Sequence, residues 1–381
     1  MMMQFSSPTR WRHGRGISAE VGEYVERMGA RKVLLLTDSV LLEAGLIETV
    51  LSSLNERGLK VTVNADVAAE PTVGFFDTLA GKIDPGCFDA LVAAGGGSVM
   101  DVAKGLRIYA QCGGSIRDYK GFDRIPRSIH LPMLAVPTTA GTGSEISDGA
   151  VFIDEVSQTK FAIGGLQNCP TVALTDPLLT VSMPPKITAI SGIDALVHAV
   201  EAYVTRTATQ VTEMFALRAI ELIGSNLERA YETGDDIDAR ESMQIGATMA
   251  MIATINSRLG LCHALAMPLC ALYHLPHGHA CGAVLPYVLA FNSSVVGEKA
   301  KRIMHALGYD IPNQDLPEAG FDRLERLVEK LGLKMSLRKD HGYEDSQLDA
   351  IVKGTMESFQ TSNNPRDVTE EDVKSIVRKI L

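Results

Sequence analysis

The pattern of apolar and polar positions along the chain changes character near residue 183. Before that point, short apolar runs typical of buried strands alternate with amphipathic stretches typical of helices. The predicted strands lie within residues 32–38, 59–67, 88–98 and 131–139. Such alternation predicts a parallel sheet covered by helices, with ligands beyond the carboxyl ends of the strands.

After residue 185 the strand pattern gives way to long helical periodicity. The predicted helices span 186–205, 208–231, 237–257, 261–273, 282–292, 296–307 and 318–332, with two more near the C-terminus. We therefore predict a Rossmann-like α/β domain over residues 1–183 and an all-helical domain over residues 184–381. The boundary is expected at Met183-Pro184-Pro185, where the strand patterns end and the helical patterns begin.

Composition narrows the class of protein. The 381 residues are 46% hydrophobic and 22% charged, which is typical of a globular protein. A net charge of −10 without a Lys/Arg cluster argues against partners such as nucleic acid or acidic membrane. The first residues lack the apolar core of a signal peptide, and no window holds 18 uninterrupted apolar residues. Six cysteines without CxxC spacing predict reduced thiols in a cytoplasmic protein.

A glycine-rich segment, "AAGGGSVMDVAKG" (93–105), joins a predicted strand to a predicted helix. Glycines let the backbone approach a ligand, and the N–H groups at a helix start favour an anion. Gly96, Gly97 and Ser98 are therefore candidates for binding a pyrophosphate, although a plain strand-to-helix turn would look the same. Asp101 lies in the first turn, where it would also complement the helix dipole.

Two further segments suit a nucleotide. Asp38 ends the predicted strand 32–38. A carboxylate at this position can accept hydrogen bonds from ribose hydroxyls and would repel a 2′-phosphate, which favours NAD over NADP. It also fits a helix N-cap. The loop "VPTTAGTGSEIS" (136–147) is rich in hydroxyls. "GRGISA" (14–19) follows no convincing strand pattern, so we do not expect it to bind phosphate.

A different chemistry is indicated in the second half by "GIDALVHAVEAYVTR" (192–206). Asp194 and His198 lie four residues apart on one face of an apolar helix, where a lone histidine is more often a core residue. Four of the nine histidines then fall within 17 residues: His263, His274, His277 and His279. One carboxylate with two or three imidazoles suits Fe²⁺ or Zn²⁺. With a nucleotide loop, this predicts metal-assisted hydride transfer.

The motifs "GGGSVMDVAK", "PTTAGTGSE", "DPLLTVSMPP", "GIDALVHAVEAY" and "HLPHGHA" together resemble the iron-dependent (group III) alcohol dehydrogenases, from about residue 10 to 310. The resemblance implies a dehydroquinate synthase-like fold, NAD as cofactor and a dimer or larger homo-oligomer. It implies these metal ligands: Asp194, His198, His263 and His277. It implies these cofactor contacts: Asp38, Gly97, Ser98, Asp101, Thr138, Thr139, Thr142, Lys160, Leu179, Thr180 and Met183.

The sequence departs from that family at positions near the expected site. Met267 stands where many relatives have a second histidine one turn after His263, which leaves the proton route open. His274 is the candidate catalytic substitute, or else a capping or core residue. Cys281 replaces the usual asparagine, and either biases the site toward zinc as a thiolate or is a small buried hydrophobe.

Other departures bear on the substrate. Thr254 stands where relatives often carry a phenylalanine, Gly149 replaces a larger residue, and Arg258 replaces a small one. With Met267, these residues predict a roomier, more polar pocket. Our hypothesis is an alcohol or aldehyde with a polar or anionic end bound by Arg258. The alternative is that Arg258 pairs with an acid at a domain or subunit contact.

The function predicted from the sequence is NAD-dependent, metal-dependent oxidation of a primary or secondary alcohol, or reduction of an aldehyde. The expected ion is Fe²⁺, with Zn²⁺ as the alternative. A lyase or cyclase of the dehydroquinate synthase type is the second candidate, but the metal segments carry few of the basic residues that a phosphorylated substrate needs. A non-enzymatic iron-binding protein is the third, and the nucleotide segments argue against it.

Overall fold

The computed structural model describes residues 4–67, 70–126, 128–157, 159–309, 316–334 and 336–381. The chain divides into two compact units. The first is Ser7–Ser182, and the second is Met183–Leu381 together with the N-terminal residues up to Ser6. Each unit is described separately below.

The first unit is built on a six-stranded sheet in which every pairing is parallel, with the strand order β1-β9-β6-β4-β2-β3. A three-stranded sheet, β5-β8-β7, accompanies it. The strands are β1 Arg10–His13, β2 Lys32–Leu36, β3 Lys60–Asn64, β4 Ala90–Gly95, β5 Gly121–Phe122, β6 Met133–Pro137, β7 Gly149–Asp154, β8 Thr159–Gly164 and β9 Val172–Thr175. The helices are α1 Val21–Arg27, α2 Ser39–Glu43, α3 Glu48–Glu56, α4 Val73–Lys82 and α5 Gly97–Cys112.

The six-stranded sheet has a hydrophobic core on each face. Along β2, Leu34 and Leu36 belong to the core that includes residues of α4 and α5. Val33 and Leu35 belong to the other core, with residues of α1 and α3. Successive side chains of a strand point to opposite faces, so a strand covered on both sides must be apolar throughout. This explains the uninterrupted apolar runs, and the predicted α/β fold with its parallel sheet is confirmed.

The expectation that "GRGISA" follows no strand was wrong, because β1 ends at His13. β1 is an edge strand paired only with β9, and its exposed, basic residues hide the strand pattern. The segment does not present free N–H groups to an anion. The Asp176 carboxylate accepts hydrogen bonds from the backbone N–H groups of Gly16, at 3.0 Å, and Ser18, at 3.1 Å.

The hairpin formed by β7 and β8 was not predicted, and it is antiparallel. Its strands alternate buried and partly exposed positions, and they include Gly149, Gly164 and charged residues. Glycine and charged residues are depleted in strands, so the local propensity was weak. The hairpin matters because it packs against α5, the helix that follows the glycine-rich segment.

The second unit is helical within the described ranges. Its helices are α6 Pro185–Val204, α7 Gln210–Glu232, α8 Ile237–Ser257, α9 Leu261–Tyr273, α10 His277–Ala306, α11 Leu316–Lys330, α12 Leu337–His341, α13 Leu348–Glu357, α14 Phe359–Asn363 and α15 Glu370–Arg378. The helices predicted over 282–292 and 296–307 correspond to the two parts of α10, which is kinked at Val296, a residue with non-helical backbone angles (φ −118°, ψ 27°).

Two helices of this unit, α6 and α10, meet the length and hydropathy of a membrane span. Helices α8 and α9 would do so as a pair, although they are bent by 102°. In the most apolar 18-residue stretch of each helix, 83% of the residues of α6 and 61% of those of α10 are buried inside the protein. Their apolar surface is therefore largely used in packing, as expected for core helices.

Helices α6 and α10 approach each other closely where α10 begins. A Cβ atom at Gly278 would lie 2.1 Å from the carbonyl oxygen of Ile190 and 2.9 Å from the Cβ of Asp194. One turn later, a Cβ at Gly282 would lie 2.8 Å from the Ile193 side chain. Only glycine allows this contact, and the contact fixes His277, the first residue of α10, beside α6.

We expect Gly278→Ala to destabilise the protein by about 1–3 kcal/mol or more, because the added methyl group overlaps a backbone carbonyl that cannot move independently. The measurement is the free energy of unfolding in urea. Gly297→Ala is the matched control, since Gly297 lies in the same helix and a Cβ added there would have no atom within 4 Å. Equal stability of the two variants would contradict the close packing described here.

Candidate metal centre and nucleotide loop

Helix α6 carries three polar side chains on one face, Asp194, His198 and Glu201, with spacings of four and three residues. All three are buried, and the intervening residues of the helix are apolar. Burial of a carboxylate or an imidazole costs free energy unless it gains partners. The stripe therefore requires polar or ionic partners from the helices that pack against α6.

Those partners come from α9 and α10. One donor atom from each of Asp194, His263, His277 and Cys281 lies within 4.8 Å of every other. The His263 Nε2 is 3.9 Å from the Asp194 Oδ1, and the His277 Nε2 is 3.7 Å from the Cys281 Sγ. These separations are too long for strong hydrogen bonds but suit donors that share one ion.

His198 lies immediately beside this group. Its Nδ1 is 3.8 Å from the Asp194 Oδ2, and its ring centre is 4.7 Å from that of His263. The structure thus brings the four predicted ligands together and adds Cys281. In the described part of the chain, the buried His198 Nδ1 and His263 Nε2 have no hydrogen-bond partner. A divalent cation would satisfy both nitrogens, so the donor set fits a metal ion.

Glu201 was not singled out from the sequence, although its position seven residues after Asp194 was a usable signal. Its Oε2 is 2.7 Å from the His263 Nδ1, and its Oε1 accepts the backbone N–H of Cys262 at 2.6 Å. A carboxylate can only accept, so the His263 Nδ1 carries the proton. The Nε2 lone pair of a neutral His263 is then directed at the metal group. Such carboxylate–histidine pairs orient metal ligands.

The pKa shift of His198 favours the neutral form that binds a metal, whereas the shifts of His263, Cys262 and Cys281 favour their protonated forms in the absence of an ion. Burial lowers the pKa of His198 to about 4, although Asp194 opposes the shift, so this imidazole is neutral at neutral pH. Burial also lowers the pKa of His263, but the hydrogen bond and charge of Glu201 outweigh it and leave the pKa raised. Burial raises the pKa of the Cys262 and Cys281 thiols, which are therefore protonated while no cation is bound.

The glycine-rich segment forms the turn between β4 and the 16-residue helix α5, as predicted. Gly96 is the N-cap, and no side chain caps the helix. Gly96, Gly97 and Ser98 are partly exposed. The first N–H groups of α5 have no partner within the helix, so this end fits a pyrophosphate.

The hydroxyl-rich loop of residues 136–147, called the hydroxyl loop below, lies directly against this turn. Thr138 donates its backbone N–H to the Gly95 carbonyl at 3.1 Å. A Cβ at Gly97 would lie 3.0 Å from the Thr142 methyl carbon, and one at Gly96 would lie 3.5 Å from that of Thr139. The structure therefore brings together the three threonines and the glycines that the sequence assigned to the nucleotide.

Lys104 is a second residue that the sequence analysis missed. Its side chain is fully buried in α5, and its ammonium donates three hydrogen bonds, to Ser144 Oγ (2.9 Å), Ser147 Oγ (2.8 Å) and the Gly149 carbonyl (2.8 Å). Burial lowers its pKa, and the nearby Asp101 opposes the shift. A lysine on the apolar face of a predicted helix was the available signal. Lys104 fixes the hydroxyl loop and β7 to the helix that starts at the glycine turn.

Asp101 is part of the same network. Its Oδ1 accepts the Ser144 hydroxyl at 3.0 Å, and its Oδ2 accepts the Val151 N–H at 3.0 Å. Burial raises the pKa of this carboxyl, and Lys104 opposes the shift. Both carboxylate oxygens are thus bonded inside the unit, an arrangement that supports the loop.

The other residues that the sequence assigned to the cofactor occupy a helix cap, an ion pair, a buried turn and the start of the helical unit. Asp38 caps α2 by accepting the Leu41 N–H through its Oδ1 at 2.9 Å, as the N-cap alternative predicted. The Lys160 Nζ lies 3.0 Å from the Glu70 Oε1, and the Ser98 hydroxyl accepts the Glu70 N–H. Leu179 and Thr180 are buried in the turn after β9, whereas Met183 belongs to the helical unit.

The residues assigned to the substrate fall in both units. Thr254 is buried in α8, where its hydroxyl donates to the Ala250 carbonyl at 2.9 Å. Arg258 ends α8 with φ 59°, a left-handed conformation that is strained for arginine. Met267 is partly buried in α9. Gly149 is the first residue of β7 in the other unit, with its carbonyl bonded to Lys104.

His274, the candidate proton-transfer residue, is exposed and occupies the C-cap of α9 in a left-handed conformation (φ 51°, ψ 36°). This is the capping position that was the alternative interpretation. Its part in proton transfer stays a prediction.

Comparisons with known proteins agree with this geometry. Residues 8–177 match the family described as "Iron-containing alcohol dehydrogenase", and residues 188–381 match "Fe-containing alcohol dehydrogenase family, C-terminal". The NAD-dependent methanol dehydrogenase of Bacillus methanolicus is 34% identical over 383 residues, with all of both chains covered.

Solved structures extend the likeness. A 1,3-propanediol oxidoreductase has a TM-score of 0.95 and 32% identity, with 100% of both chains covered. Sulfoacetaldehyde reductase from Bifidobacterium kashiwanohense, in complex with NAD⁺, has a TM-score of 0.90 and 28% identity, covering 100% of this chain and 99% of that one.

The chain belongs to the iron-containing alcohol dehydrogenase family. The predicted activity class is confirmed: the chain is an alcohol and aldehyde oxidoreductase of a family described as iron-containing, with NAD-dependent relatives. The matched families cover both units and describe dehydrogenases, so the dehydroquinate synthase-type alternative gains no support from them.

We expect Glu201→Gln to weaken the binding of a divalent ion by about 10–100-fold, because the neutral amide no longer fixes the His263 tautomer or raises its basicity. Zinc titration against a chromophoric chelator measures the affinity. Glu213→Gln is the control, since Glu213 pairs with Lys299 on the surface of α7. Unchanged affinity in a folded Glu201→Gln protein would remove Glu201 from the metal centre.

Proposed function

We propose that Asp194, His198, His263 and His277 bind the metal ion of an NAD-dependent alcohol dehydrogenase. The observation that carries this assignment is the pair of buried nitrogens His198 Nδ1 and His263 Nε2, which have no hydrogen-bond partner among the described residues and lie 3.8 Å and 3.9 Å from the Asp194 carboxylate. Fe²⁺ is the ion that the family name indicates, with Zn²⁺ as the alternative. In this proposal, the helical domain, residues 184–381, binds the metal and the substrate.

Residues 1–183 bind the dinucleotide in this proposal. The uncapped start of α5 at Gly96, Gly97 and Ser98 binds the pyrophosphate through backbone N–H groups. Thr138, Thr139 and Thr142 border that turn and supply hydroxyls. Asp101 contributes by supporting this loop.

The remaining cofactor contacts in the proposal are Asp38, Lys160, Leu179, Thr180 and Met183. Asp38 uses its Oδ1 in the helix cap, and its carboxylate repels a 2′-phosphate, which favours NAD over NADP. This is consistent with the NAD-dependent methanol dehydrogenase among the relatives.

When bound, the ion would supply Lewis-acid polarisation of the substrate oxygen, and the nicotinamide would carry the hydride. Other residues of the chain orient the proposed metal ligands. Glu201 orients the His263 imidazole, and the contact at Gly278 holds His277 against α6. Because Met267 stands one turn after His263, the proton leaves through other groups, and His274 is the candidate that the sequence offers.

We expect the protein purified without oxygen and supplied with Fe²⁺ to oxidise NADH when an aldehyde is added. A chelator and the Asp194→Asn variant should each abolish this activity, because the ion loses its only carboxylate in the proposed set. Asp349→Asn, at an exposed helical position, is the control. Full activity after complete metal removal would contradict the proposal.

We further propose that the substrate carries a polar or anionic end bound by Arg258. The strained backbone at this position supports a functional role, since such strain concentrates at binding sites. A sulfoacetaldehyde reductase among the similar structures acts on an anionic aldehyde, which shows that the fold accommodates one. Thr254, Met267 and Gly149 complete the proposed substrate set.

We expect Arg258→Gln to lower kcat/KM about 10–100-fold for an anionic aldehyde and much less for a neutral aldehyde of equal length, because charged hydrogen bonds contribute about 1.5–3 kcal/mol. Steady-state kinetics with both substrates measures the difference. Arg258→Lys should keep part of the preference, since it keeps the charge without the planar fork. Equal losses for both aldehydes would favour a structural ion pair.

We propose a cytoplasmic homodimer or larger homo-oligomer that binds neither nucleic acid nor membrane. None of the six cysteines forms a disulfide bond, which suits a reducing compartment. The net charge of −10 opposes binding to anionic polymers and acidic lipid surfaces. The apolar helices α6 and α10 use most of their surface inside the protein.

A further inference from the structure

Two cysteines flank His277 on opposite sides of its ring. The Cys281 Sγ lies 3.7 Å from the Nε2, and the Cys270 Sγ lies 3.8 Å from the Nδ1. Cys281 follows His277 by one helical turn in α10, so both side chains lie on the same face of that helix. Cys281 is also fully buried.

Of the two sulfurs, that of Cys281 belongs to the group of converging donor atoms among the described residues, and that of Cys270 does not. The Cys281 Sγ is one of four donor atoms that lie within 4.8 Å of one another, with those of Asp194, His263 and His277. Typical zinc distances of about 2.3 Å to sulfur and 2.0–2.1 Å to nitrogen put two donors about 3.1–3.8 Å apart at the angles of about 90–120° that a five-coordinate ion adopts. The observed 3.7 Å between the Cys281 Sγ and the His277 Nε2 lies within that range.

We propose that Cys281 is itself a ligand of the metal ion, so that this centre combines carboxylate, imidazole and thiolate donors. A second observation supports an ion at this position, namely the buried His263 Nε2, which has no hydrogen-bond partner among the described residues. The proposal rests on the metal site assigned under the proposed function and adds a donor to it.

The consequence is a change in metal preference. Thiolate is a soft ligand that selects zinc over harder ions, whereas carboxylate and imidazole alone discriminate less. The Cys281 thiolate therefore shifts this centre toward Zn²⁺ relative to a site of one carboxylate and three imidazoles. This chain would be a zinc-preferring member of an iron-containing family.

The test uses the full chain loaded with Zn²⁺ or Co²⁺. X-ray absorption at the zinc edge should detect one sulfur neighbour at about 2.3 Å. The cobalt form should show a sulfur-to-metal charge-transfer band in the near ultraviolet. Cys281→Ser should lose both signals and lower the ratio of zinc to Fe²⁺ affinity. Cys270→Ser, at the opposite ring nitrogen, should keep both signals.

The possible failures are distinct. A wild-type protein that binds one ion with nitrogen and oxygen neighbours only would overturn the proposal for Cys281 and leave the four-ligand site intact. Loss of the sulfur signal in Cys270→Ser instead of Cys281→Ser would also overturn it. A wild-type protein that binds no ion, with the same result in Asp194→Asn, would contradict the proposed function itself. Because the wild-type spectra decide the question, misfolding of a variant does not obscure it.

Discussion

The backbone contact between α10 and α6 at Gly278 is the constraint on which the candidate metal centre depends. Asp194 and His198 belong to α6, while His277 and Cys281 belong to α10. Their donor atoms converge because no side chain separates the two helices where α10 begins. A larger residue at this position would increase the helix separation, and imidazole and carboxylate side chains are too short to compensate.

Each unit contains buried charge that is satisfied in a different way. In the α/β unit, the Lys104 ammonium has a protein acceptor for each of its three protons, and it fixes the loop that borders the glycine turn. In the helical unit, Glu201 bonds to His263, but among the described residues the buried His198 Nδ1 and His263 Nε2 have no hydrogen-bond partner. The hydrogen bonds of the Lys104 ammonium are all made within the chain, whereas the two imidazole nitrogens would gain a partner from the proposed ion.

The periodicity of apolar residues predicted the fold, and short motifs predicted most of the residues that converge at the candidate metal centre and the glycine turn. The buried parallel strands and the amphipathic helices have strong patterns, as in β4 and α7. The sequence patterns of strand β1 and of the hairpin formed by β7 and β8 are weak, because these strands form through their edge position and their pairing partners. Glu201 and Lys104 were missed because their roles depend on residues 62 and about 40 positions away. Cys281 was noticed, but only the structure brings its sulfur to the other donors.

The unpartnered nitrogens of His198 and His263 have a consequence for the life of the protein in a cell. An ion that binds the folded chain and not the unfolded one adds its binding free energy to folding. Metal supply then sets not only how many molecules are active but how many persist. In a metal-starved cell, newly made chains would unfold more often and be degraded sooner, so the abundance of this enzyme would follow the availability of its ion.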